Sequence, residues 1–237
     1  MRKTNAKPKK ASTKKPKAVG TKSNSKSTRK RSTTKPKTPT KRKVKAINYN
    51  KIPFVKAKAG SFIDLTDKES RGVRVIVIHC MEAPEKPDTA ENVSKWLSTQ
   101  GVSVHYCVDN DSIVQMVQCR DVAYGCKGMN RHGIQIELPG YARQTRAEWN
   151  DDYSKAALDN AAKLIAWVLV PKFGIQTDWL SPDQIRKVTS EPGITGFVTH
   201  DMVTKALNIP GGHTDPGKSF PLNDFMNKIR YYVNNRP

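Results

Sequence analysis

The sequence predicts an α/β fold: a central mixed β-sheet flanked by α-helices, carried behind a disordered basic N-terminal arm. Three observations predict it. Residues 73–78 form a β-branched run that reads as a buried strand. Residues 153–170 place apolar side chains at 153, 157, 161, 164, 165, 168 and 169, the stripe of a long amphipathic helix. Residues 1–46 hold 19 of the 42 Lys and Arg and none of the 21 Asp and Glu.

That last asymmetry sets the domain boundary. Residues 47–237 keep 23 basic against 21 acidic side chains, so the net charge of +21 is almost wholly a property of the arm. The arm is Lys, Ser, Thr, Pro and Ala with almost nothing apolar, and it cannot bury enough surface to offset the entropy of ordering. It is a polycation that binds polyanions in a salt-dependent way: nucleic acid, an anionic cell-wall polymer or lipid headgroups. Aromatic residues do not interleave its charges, so base stacking is not indicated. The remaining residues suit one domain, 47–237, expected as a monomer. No run approaches the ~18 apolar residues of a membrane span. No apolar segment follows the N-terminal charge, so a secretory signal peptide is not expected. Cys80, Cys107, Cys119 and Cys126 include no CxxC pair, and are read as reduced, buried thiols.

The elements follow in order. The strand over 73–78 ends at His79, the strand end where α/β folds tend to place chemistry. Asp88, with Glu91 three residues on, resembles a capping box opening a helix through Val93, Trp96 and Leu97 to Gly101. Strands over 102–108 and 112–117 flank Asp109-Asn110-Asp111, turn chemistry for a hairpin. Residues 123–131 are a loop and 133–138 another strand. The long helix is closed by Pro171 and Gly174. Ser181 or Asp183 caps a short helix over 184–188, His200 opens one near 201–207, and residues 221–235 form the last. A hairpin among alternating strands and helices makes the sheet mixed.

Two histidines and a carboxylate, His79, His200 and Asp215, are donor types that a catalytic zinc site takes while keeping one position open. Their wide spacing does not by itself single them out, and there is no HExxH. Their setting does more. Val77-Ile78-His79-Cys80 after a strand, Ser103-Val104-His105-Tyr106, Gly133-Ile134-Gln135-Ile136-Glu137-Leu138, and Thr214-Asp215-Pro216-Gly217 before Phe220-Pro221 occur in that order. Over about residues 70–235 this resembles the zinc N-acetylmuramoyl-L-alanine amidases, the family shared by phage lysozyme-like amidases, bacterial recycling amidases and peptidoglycan recognition proteins.

The resemblance implies one Zn²⁺ per chain held by His79, His200 and Asp215, with Asp215 matching the branch that uses Asp where others use Cys. Glu137 matches the general base. His213 stands where the family places a Lys two residues before the third ligand, and would stabilise the oxyanion. The segment 202–211 resembles an insertion, so the second ligand is either His200 or His213. His200 is preferred because Asp201 follows it, as an acidic residue often follows this ligand in the family. Val104 replaces a Tyr used in some branches, which removes a Tyr-assisted mechanism there. His105 reads as a supporting or core residue, and Tyr124 and His132 as groove-lining candidates. The implied activity is hydrolysis of the amide between N-acetylmuramic acid and L-alanine of the stem peptide, in a phage endolysin or virion-associated lysin made in the host cytoplasm. The alternatives are a non-catalytic peptidoglycan-binding module and a nucleic-acid-associated protein acting through its arm.

Overall fold

The computed structural model describes residues 46–65 and 71–237. The arm expected over 1–46 lies outside the described residues except for Ala46. Strand β1 (Phe62–Ile63) is short, and β2 (Val75–Cys80) is the buried strand expected from its β-branched run. Helix α1 (Thr89–Leu97) leads into the hairpin β3 (Tyr106–Val108) and β4 (Ile113–Gln115). Then come β5 (Val122–Ala123), β6 (Gly133–Leu138) and the long α2 (Asp152–Leu164). A π-helical turn (Ile165–Leu169) runs from α2 into α3 (Val170–Phe173). Helix α4 (Pro182–Lys187), strand β7 (Gly196–Thr199), α5 (His200–Ala206) and α6 (Leu222–Asn234) complete the chain.

The main sheet has the order β4-β3-β6-β2-β7. Only the β3–β4 hairpin is antiparallel, so the sheet is mixed, as the sequence predicts. Side chains alternate across it. Ile76 and Ile78 of β2 and Ile134, Ile136 and Leu138 of β6 face the core beneath α2 and α6, against Leu158, Ala161, Phe225 and Ile229. The opposite face is covered in two parts. Val75, Val77 and Val198 pack against α4 and α5 through Ile185, Val203 and Ala206. Cys107 and Val114 pack against α1 through Ala90 and Leu97. Between those two parts, over the C-terminal ends of β2 and β6, the face is left open.

Two local expectations are corrected, two pairings are added and one alternative is decided. Asp88 adopts a left-handed backbone (φ 66°) and makes no side-chain cap for α1. Its place is taken from across the fold, where the Ala90 N–H donates to Asp109 Oδ2 at 2.9 Å. The same carboxylate accepts from Asp111 and Ser112 in the hairpin turn, so one buried side chain ties α1 to the sheet. Pro171 does not end the long helix. The wider π-helical turn accommodates the missing N–H and the ring, and the chain stays helical to Gly174, which closes it in the left-handed region (φ 64°). β7 was not predicted, because four residues between turns carry too little periodicity. The pair β1–β5 was hidden for the same reason. Ser181, rather than Asp183, caps α4 in a full capping box with Gln184.

Candidate metal centre

Parallel register builds the site. His79 on β2 lies beside Glu137 on β6, with Gln135 two residues before it on the same face. β7 pairs with β2 from Val75↔Gly196 to Ile78↔Thr199, so His200, the next residue, arrives beside His79. Thr199 caps α5 by accepting from the Met202 N–H, which fixes the turn on which His200 sits. The Asp201 N–H donates to the Asp215 carbonyl at 3.0 Å and draws the last segment alongside.

The result is a cluster of His79, His200 and Asp215, all buried, whose ligand atoms lie within 4.8 Å of one another. Asp215 Oδ2 is 3.0 Å from His79 Nδ1, and Oδ1 is 3.3 Å from His200 Nδ1. The His79 and His200 rings meet edge to face at 4.8 Å. On its other side His79 Nε2 is 2.8 Å from Gln135 Oε1. With that amide oxygen accepting, Nε2 carries the hydrogen and a neutral His79 aims the Nδ1 lone pair at a carboxylate. Only a proton or a cation between them makes that arrangement favourable. Zinc takes these donor types at about 2.0–2.2 Å. The residues therefore fit a zinc ion.

The charges agree. Burial works against ionised Asp215, but hydrogen bonds to His200 and His79 outweigh it and hold the carboxyl well below its usual range. Burial lowers the pKa of His200, and the neighbouring His79 adds to the effect. Glu137 is pushed up to about 7, first by burial and then by Asp215 and Glu82. Its Oε2 is buried without a hydrogen-bond partner.

These groups share an open cleft of about 620 Å³. Its floor is His79 and Glu137. Leu97, Val102 and Val104 form one wall, and His200 with residues 212–215 the other. His213 stacks on His200 at 3.8 Å with its Nδ1 3.6 Å from Asp215 Oδ1, but its side chain is 61 % exposed, on the rim rather than inside the cluster. Tyr124 does not line the cleft, whose wall there is Gly125. His132 lies at the opposite end of the sheet, where its carbonyl accepts from the N–H groups of Arg74 and Val75 and its Nδ1 meets the Gly72 carbonyl. A residue just before the start of β6 cannot reach chemistry placed at that strand's C-terminal end.

The support beneath the ligands was foreseen only in His105, and Gln135 and Arg71 were not singled out. His105 is fully buried and accepts the Gln135 N–H at Nδ1. Burial and the Arg71 charge hold its pKa well below the usual value, so the ring is neutral. Arg71 donates to the carbonyls of Cys119, Asn130, Arg131 and Gly133, and burial brings its pKa down to about 10. Gln135 was legible in principle: strand alternation puts it on the face of Glu137, where a buried polar side chain needs a partner.

A family model described as N-acetylmuramoyl-L-alanine amidase matches residues 69–218. No curated protein sequence matches the chain. Among solved structures, hydrolase AmiA of Staphylococcus aureus, determined with its ligand, is similar at a TM-score of 0.55 and 18% identity, over 78% of this chain and 86% of that one. A mutant of PlyL is similar at 0.51 and 16%, over 76% and 98%. The PlyG catalytic domain is similar at 0.50 and 16%, over 77% and 95%. At these identities the likeness concerns the fold.

Proposed function

Since the chain belongs to the N-acetylmuramoyl-L-alanine amidase family, we propose that it is a zinc-dependent peptidoglycan hydrolase that cuts the amide between the lactyl group of N-acetylmuramic acid and L-alanine of the stem peptide. The observation that carries this reading is the buried His79–His200–Asp215 cluster at the foot of an open cleft, with the unpartnered Glu137 carboxylate beside it.

His79, His200 and Asp215 would hold the ion. When bound, zinc supplies Lewis-acid polarisation of the scissile carbonyl and a lowered pKa for water. Gln135 fixes the His79 tautomer and ring orientation, as outer partners of metal-bound histidines do. Glu137 takes the proton of the attacking water and hands it to the leaving amine of L-alanine. His213 presents a ring N–H from the rim to the oxygen on which charge develops. The open cleft admits a polymer, which a closed cavity would not.

We read residues 1–46 as a polycationic arm that holds the enzyme on an anionic envelope, and the whole as a monomeric, phage-encoded lysin. Incubation of the full chain with peptidoglycan tests the reading. New L-alanine amino termini, abolished by a chelator and restored by zinc, are expected. Tight binding by the zinc-loaded protein with no new termini would replace the enzyme with a recognition module.

A further inference from the structure

We propose that Arg143 is the specificity anchor of the cleft, binding a carboxylate of the acidic stem peptide; this rests on the peptidoglycan reading above. Arg143 is the only Lys or Arg among the described residues lining the cleft. Its guanidinium lies 3.9 Å over the Tyr141 ring. Among the described residues it has no hydrogen-bond or ion-pair partner, so its N–H groups remain available to a ligand. Stacking limits the rotamers of a long side chain before any ligand arrives, which lessens the entropy lost on binding.

The backbone carrying Arg143 is held by several independent contacts. Gly140 and Ala83 exchange two backbone hydrogen bonds. The Ala142 N–H donates to Glu82 Oε1 at 2.7 Å, and Glu82 itself has a left-handed backbone (φ 48°), unusual for its residue type. The Tyr141 N–H donates to Gln144 Oε1, whose amide is tied to Glu85. Gly217, two residues after Asp215, packs so closely that an added Cβ would lie 1.9 Å from the Ala142 carbonyl oxygen. The segment that ends the ligand set thus also buttresses the Arg143 loop. A strained residue and a glycine with no room for a side chain converge on one exposed arginine, an arrangement that fixes a cation at a set place relative to Asp215. A planar, permanently charged fork suits a carboxylate.

The test uses the full zinc-loaded chain with two muramyl peptides that differ only in whether the carboxyl group beside the second peptide bond is free or amidated. For the free acid, Arg143→Ala is expected to raise KM about tenfold with kcat nearly unchanged, and Arg143→Lys to recover part of the loss. Amidation should cost the unaltered enzyme a similar factor and cost Arg143→Ala nothing more. Equal losses by Arg143→Ala on both substrates, or no loss on the acid, would overturn the proposal. If the unaltered enzyme cuts neither substrate, the amidase reading itself falls, and this proposal with it.

Discussion

Glu137 and Gln135 sit two residues apart on one strand face, and different measurements separate their roles. Glu137→Gln keeps the shape but cannot take a proton. Amide cleavage is expected to fall at least ~100-fold, in the range for loss of a general base, while the zinc content stays that of the unaltered chain. The same substitution has a stability signature in chelated protein. With a folded-state pKa of about 7 against an ordinary 4.5, Glu137 keeps a proton between those pH values that the unfolded chain has lost. Stability therefore falls as pH rises through this window, by about 3 kcal/mol from this group. Burial works against protonated His79, but Asp215, Glu137 and Gln135 together outweigh it and raise its pKa, which adds a loss of the same sign above its ordinary value. Urea denaturation at pH 5 and pH 8 should find Glu137→Gln losing less stability between the two than the unaltered chain. Gln135→Leu removes the acceptor that orients His79. It is expected to weaken zinc binding about 10- to 100-fold, measured by competition with a chromogenic chelator, with the fold intact.

At the scale of elements, Asp109 is the test case. It caps α1 from another element and organises the hairpin turn, so Asp109→Ala removes one buried and two part-buried hydrogen bonds at once. We expect a loss of about 2–3 kcal/mol, seen as a lower midpoint in denaturant. This is also where the limits of sequence reading lie. β2 and β6 were legible as apolar strand runs, the hairpin through the turn chemistry of Asp109-Asn110-Asp111, and α2 and α6 because each repeats its apolar period over enough residues. β7 and the β1–β5 pair are too short to carry a period. Asp88 and Pro171 were misread because capping and helix breaking are local rules, while Asp109 and a π-helical turn supply solutions that local sequence does not contain. Among the candidate site residues, those at the C-terminal ends of strands, His79 and Glu137, could be placed from the strand pattern alone. His200 and Asp215 could not, since their approach depends on β7 and on the backbone hydrogen bond from Asp201 to Asp215. His132 was misplaced although its position just before the strand over 133–138 already puts it at the end away from His79 and Glu137.

For the whole molecule, charge is divided between two regions of different character. Residues 1–46 carry 19 positive charges, and the rest is nearly neutral. If the arm holds the enzyme on an anionic envelope, raising salt should reduce lysis by the full chain far more steeply than lysis by residues 47–237, because each contact releases a condensed counterion. Superimposable salt curves for the two proteins would sink the role of the arm. The cleft and its ligands lie within residues 47–237, so cleavage of a small soluble muramyl peptide should be insensitive to the deletion.

The neighbourhood of β2 and β7 bears on the order of events during folding. Their paired residues are 121 positions apart in sequence yet adjacent in the sheet, and His79 and His200 lie at their shared end. Closing so long a stretch of chain costs entropy before any contact repays it, so strands that pair this way tend to associate late. The hairpin and the helices can form early without creating a place for a metal ion. High-affinity zinc uptake should then appear only in the slowest refolding phase, when β7 docks. The ion would serve as a timer for completion of the sheet, and a truncated or stalled chain would not sequester it.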